Sequence, residues 1–127
     1  MDKQSILKNI DEAIRLVTEQ PEQLFDLSVF KRTVDCGTLH CTAGLLCTSA
    51  HFRALGWEWA GRWVNVQGVS IEESGMLYTQ FGPAAYSRLF NYRDASPFDD
   101  HKNASNHTDK ELALHRLAEQ RKIVEAM

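Results

Sequence analysis

Residues 35–56 read Asp35-Cys36-Gly37-Thr38-Leu39-His40-Cys41-Thr42-Ala43-Gly44-Leu45-Leu46-Cys47-Thr48-Ser49-Ala50-His51-Phe52-Arg53-Ala54-Leu55-Gly56. Thr38 is a good helix N-cap and Gly56 a good stop, so the stretch predicts a helix from Thr38 to Leu55. Its apolar residues, Leu39, Ala43, Leu45, Leu46, Cys47, Ala50, Phe52 and Leu55, surround most of the circumference. A helix apolar nearly all round belongs in the middle of a small domain.

Working outward, residues 57–71 change character. Trp57, Trp59, Trp63, Val64, Val66, Val69 and Ile71 favour strands, and Gly61 and Gly68 punctuate them, which predicts a short β-hairpin. Upstream, Ile6, Leu7, Ile10, Ala13, Ile14 and Val17 recur at helical spacing, giving an amphipathic helix that Pro21 ends. The apolar segment 24–30 has no clean period and reads as a short helical turn or a buried connector. Downstream, Ser70 and Glu73 fit a capping box for a helix over 71–81, and Gly82-Pro83 then stops that helix and opens a short one to Phe90. Residues 94–107 read as a surface loop whose acidic part is a solvated connector. Thr108 and Glu111 form a second capping box for a last helix to about Ala126, with Leu112, Leu114, Leu117, Ala118 and Ile123 as its stripe. The expectation is one α-rich (α+β) domain over 1–127, about five helices around the central one, with one small hairpin.

The 127 residues carry 14 Lys+Arg against 17 Asp+Glu, a net charge of -3, with 43% hydrophobic and 24% charged residues. That is ordinary globular usage, and it supplies no broad basic field for a phosphate backbone. Nucleic-acid binding is therefore not expected; the pair of helices over 71–90 offers its second helix only Arg88 as a basic residue. No basic start with an apolar run and no stretch of 18 apolar residues is present, so neither secretion nor membrane insertion is expected. A cytoplasmic site follows, where Cys36, Cys41 and Cys47 would be thiols, ligands or reactive groups before forming a bridge.

Cys36, Gly37, Thr38, Cys41, Ala43 and Gly44 form a C-G-T-x-x-C-x-A-G motif. In this the chain resembles a set of small phage, prophage and bacterial proteins; the order of elements around the motif looks similar too, and Leu45 departs from it. The resemblance implies a phage or prophage accessory factor and carries no catalytic assignment.

Several uses of the motif stay open. It can be a tight loop-to-helix joint, with Cys36 and Cys41 as small buried hydrophobes. It can be an anion site, in which the N–H groups of Leu39, His40 and Cys41 and the helix dipole hold a phosphate or carboxylate beside Gly37 and Thr38. Arg53, Arg62, Arg88 and Arg93 would be the neighbouring cations. A helix dipole would also lower the pKa of Cys41, making it a nucleophile with His40, His51 or another histidine as base. Cys47 and His51 stand one turn apart and could share a metal ion, whereas His40 lies about 10.5 Å up a helix from Cys47 at ~1.5 Å per residue, too far to join them.

Trp57, Trp59 and Trp63 can lid the core or form an exposed aromatic platform. The sequence points to non-catalytic binding, with no cofactor, of a host protein or a small nucleotide-like anion. Gly37, Thr38, His40 and Cys41 form one wall of that site, Trp59, Arg62 and Trp63 the second, and self-association is a further option.

Overall fold

The computed structural model describes residues 2–27, 31–34, 37–61, 63–91, 96–99 and 107–127, with the backbone alone for 31–34 and 37–40. The fold is mixed: helices α1 (Lys3–Glu19), α2 (Thr42–Leu46), α3 (Ala50–Ala54), α4 (Met76–Phe81) and α5 (Asp109–Glu125) combine with strands β1 (Lys31–Val34), β2 (Gly37–His40), β3 (Trp57–Ala60), β4 (Trp63–Val66) and β5 (Val69–Ser70). Strands β1 and β2 pair antiparallel, and β3, β4 and β5 form a second antiparallel sheet in that order. This is the expected α+β class.

Helix α1 forms as its spacing dictates. Asp2 caps it by accepting the Gln4 N–H at 3.0 Å, and Gln20 leaves helical geometry ahead of Pro21. Ile6, Ile10, Ala13 and Val17 are buried, and the helix packs against α5, α4 and α2. The hub of the fold is therefore α1.

The single helix expected over Thr38–Leu55 does not form. Residues 37–40 are strand, the chain turns helical only at Thr42, and it breaks again between Leu46 and Ala50. Thr48 contributes to the break, because its Oγ1 donates to the Leu45 carbonyl at 2.6 Å and so competes with the helical ladder. What survives is the burial: every residue of α2 is buried.

The predicted hairpin is present and gains a third strand. Gln67 and Gly68 both have positive φ, +54° and +78°, the geometry that a two-residue hairpin turn demands. Ser70 ends β5 instead of capping a helix. The Met76 N–H instead meets the Ser74 Oγ at 3.3 Å, so α4 starts five residues later than expected, at Met76. Gly82 stops α4 with φ +90°, and residues Tyr86–Phe90 follow as a π-helical turn.

Phe52, Trp57, Phe81 and Phe90 form an aromatic cluster at the centre, with ring centroids 5.2 to 5.9 Å apart. Trp57 is polar-satisfied there: its Nε1 donates to Gln80 Oε1 at 2.6 Å, and Gln80 Nε2 donates to the Leu55 carbonyl at 3.1 Å. The capping box at the start of α5 is present as predicted. Its buried stripe, however, is rotated from the expected one. Ala118 is exposed, while Leu112, Ala113, Arg116, Leu117, Gln120 and Val124 are buried. The loop expected over 94–107 falls largely outside the described residues, but Ser96 and Asp99 are buried, so that part is no solvated connector. No helix among the described residues is long and apolar enough to cross a membrane.

Candidate functional site

Two regions carry the chemistry. The first is the motif, where Gly37, Thr38 and His40 lie on β2 in register with β1: Gly37 opposite Val34, Thr38 opposite Thr33 and His40 opposite Lys31. Asp35 and Cys36, between the strands, lie outside the described residues, as do the side chains of Thr38 and His40. Thr38 is therefore no N-cap. A strand has no terminal cluster of unpaired N–H groups and no aligned dipole, so the anion site expected there loses its physical basis.

The cap falls instead on Cys41. Its Sγ accepts the Gly44 N–H at 3.5 Å and its side chain is buried among the core residues. The expectation of a depressed thiol pKa is overturned. Burial pushes the Cys41 thiol up to about 11, and the hydrogen bond from Gly44 only partly opposes it. A protonated, buried thiol is a poor nucleophile. Beside it, the buried Thr42 Oγ1 has no hydrogen-bond partner among the described residues.

Cys47 and His51 each engage a different hydrogen-bond partner. The Cys47 thiol donates to the Ala43 carbonyl at 3.5 Å, and burial pushes its pKa up to about 12. His51 Nε2 lies 2.8 Å from Asn9 Oδ1, so that nitrogen carries a proton and is not available as a ligand. Among the described residues no group of three His, Cys, Asp or Glu is arranged to hold a metal.

The second region is the outer face of the β3–β4–β5 sheet. Side chains alternate across a strand, and Trp59 is registered opposite Val64, so Trp57, Trp59, Val64 and Val66 share the core face. Trp63 is one residue before Val64 and faces the other way. The wall expected from Trp59, Arg62 and Trp63 together is thus divided: Trp59 packs against the core, Arg62 lies outside the described residues, and Trp63 is 54% exposed. The tryptophans serve both purposes considered, core lid and surface aromatic.

Trp63 borders an open groove of about 370 Å³ together with Ala60, Asn65, Ser70 and Glu72. Asn65 and Ser70 are register partners on β4 and β5, which aligns the amide and the hydroxyl side by side. The Glu72 carboxylate accepts a hydrogen bond from the Tyr86 hydroxyl at 3.1 Å. The sequence reading missed Asn65, Ser70 and Glu72. The signal was the alternation of Trp63 and Asn65 with Val64 and Val66, which separates an outer from an inner face.

No protein-family model matches the chain, and no curated protein or solved structure matches it either.

Proposed function

We propose that the protein is a non-catalytic binding protein that docks a protein partner on the outer sheet face around Trp63. The observation that carries this reading is a large aromatic side chain, half exposed, at the edge of a groove whose other lining is small or polar. Such an anchor with a polar surround is the composition from which binding hot spots are built. The motif contributes differently: Cys41, Ala43 and Gly44 pack the core beneath β2, and the small-anion reading of Gly37, Thr38, His40 and Cys41 recedes with the helix terminus it needed. The resemblance of the motif to phage and prophage proteins supports an accessory factor acting on a bacterial host protein. Cys41 and Cys47 are free thiols, which suits a reducing cytoplasm.

The test uses the parent protein and Trp63→Ser as baits in a bacterial lysate, followed by calorimetry with the captured protein in pure form. The expected result is binding by the parent and at least about tenfold weaker binding by Trp63→Ser, the loss typical of a hot spot. Thr38→Asp should bind as the parent does. Equal affinity of Trp63→Ser and the parent would overturn the reading.

A further inference from the structure

We propose that the groove on the outer sheet face receives an arginine side chain of the partner protein, with the guanidinium against the Trp63 indole and Glu72 as its counter-charge. The inference rests on the binding face proposed above and names the chemistry that the face selects.

Three features point the same way. Trp63 presents a half-exposed indole, the aromatic ring best suited to a cation held against its face. Among the described residues that line the groove, Glu72 is the charged one, and it brings a carboxylate to that wall. The Tyr86 hydroxyl, on the π-helical turn, donates one hydrogen bond to this carboxylate at 3.1 Å. One hydrogen bond does not exhaust a carboxylate, which has about four acceptor sites.

Asn65 and Ser70 add acceptor oxygens along the same wall. A guanidinium is planar, carries five N–H donors and stacks on aromatic rings, so it can use the indole, the carboxylate and these oxygens together. A carboxylate or phosphate group would meet Glu72 as a like charge. A purely apolar side chain would bury Glu72, Asn65 and Ser70 without satisfying them.

The experiment uses the full chain and two blocked tripeptides, one with arginine at its centre and one with citrulline, which keeps the shape and removes the charge. Binding is read from the indole N–H resonance of Trp63, assigned by its loss in Trp63→Phe. The arginine peptide should shift that resonance and bind about three- to tenfold more tightly than the citrulline peptide, the range expected for an exposed cation–aromatic contact with one surface ion pair. Glu72→Gln keeps an acceptor for Tyr86 and removes the ion pair alone, so it should narrow the gap between the two peptides and leave the arginine peptide only the cation–aromatic part of its advantage. Equal binding of the two peptides, or no shift with the arginine peptide, overturns the arginine assignment. Neither result touches the binding face itself, which fails separately if the purified partner holds Trp63→Ser as tightly as the parent.

Discussion

The guanidinium of Arg116 holds the carboxylate of Asp99 through two parallel hydrogen bonds, Nε to Oδ1 at 2.9 Å and Nη2 to Oδ2 at 2.6 Å, with both side chains wholly out of solvent. Arg116 Nη1 also donates to the Asn91 carbonyl at 2.8 Å. Helix α5 thereby ties down both the end of the π-helical turn and the segment 96–99. Ser96 reinforces the second tie by donating to the Arg88 carbonyl at 2.6 Å.

Removing one member of this pair strands a buried charge. Asp99→Ala should destabilise the fold by about 3 to 5 kcal/mol, measured by urea unfolding. Replacing both, as Asp99→Val with Arg116→Met, should recover much of that loss because neither charge is then left alone. A double variant as unstable as Asp99→Ala would contradict the pairing.

Gly82 is held at φ +90°, and a Cβ added there would lie 2.9 Å from Val124 Cγ2 and 3.2 Å from Gln120 Nε2. Gly82→Ala therefore combines backbone strain with a clash, and should cost about 1 to 3 kcal/mol. In a Val124→Ala background the clash is relieved and the strain is not, so the cost of Gly82→Ala should shrink without vanishing. The same loss in both backgrounds would assign the effect to the backbone and the Gln120 contact, without a share for Val124.

The two buried thiols make stability fall on the alkaline side. Both folded pKa values are raised from 9.0, to about 11 for Cys41 and about 12 for Cys47. Below the ordinary thiol pKa both states are protonated and nothing is lost. Above it the unfolded chain ionises first, so stability declines as pH rises from about 9 towards the folded values. Cys41→Ala with Cys47→Ala should flatten the decline in melting temperature between about pH 8 and 10. Alkylation of native Cys41 should likewise run about two orders of magnitude or more below a free model thiol at neutral pH. Model-like reactivity would revive Cys41 as a nucleophile.

Thr42 is buried in the first turn of α2 with a hydroxyl that has no hydrogen-bond partner among the described residues. Valine has nearly the same shape and no polar atom to desolvate. Thr42→Val should raise stability by about 1 kcal/mol in chemical denaturation. A loss of that size would mean that the hydroxyl has a partner after all.

The parts of the fold that were legible in the sequence are those that local chemistry decides. The period of Ile6, Ile10, Ala13 and Val17 specifies α1, and Gly61 and Gly68 mark the turns of the sheet. Thr108 and Glu111 cap α5 reciprocally. What failed depends on distant partners. Arg116 and Gln120 continue the spacing of Leu112 along α5, yet a charge inside an apolar stripe makes sense only once Asp99 and the Phe81 and Pro83 carbonyls are in place. The apolar residues of Leu39 to Leu55 surround most of a helix circumference, so periodicity could not reveal that the first residues of the stretch are strand. The groove was half legible. Trp63 was named, but its separation from Trp59 follows from the register of β3 with β4, which the sequence alone does not give.

The motif itself gives the last test, between a packing joint and an anion site. A phosphate site at a helix terminus draws on several unpaired N–H groups and on the dipole of an extended helix. Here Thr38 is on a strand, the first turn of α2 spends its Gly44 N–H on the Cys41 sulfur, and the helix has five residues. Phosphate or a nucleotide should therefore raise the melting temperature no more than chloride at matched ionic strength, since only preferential binding to the folded state would do so. Thr38→Asp should leave that null result unchanged. If phosphate instead gives a saturable rise that Thr38→Asp abolishes, Thr38 belongs to a ligand site, and the packing-joint reading of the motif gives way to a small-anion site.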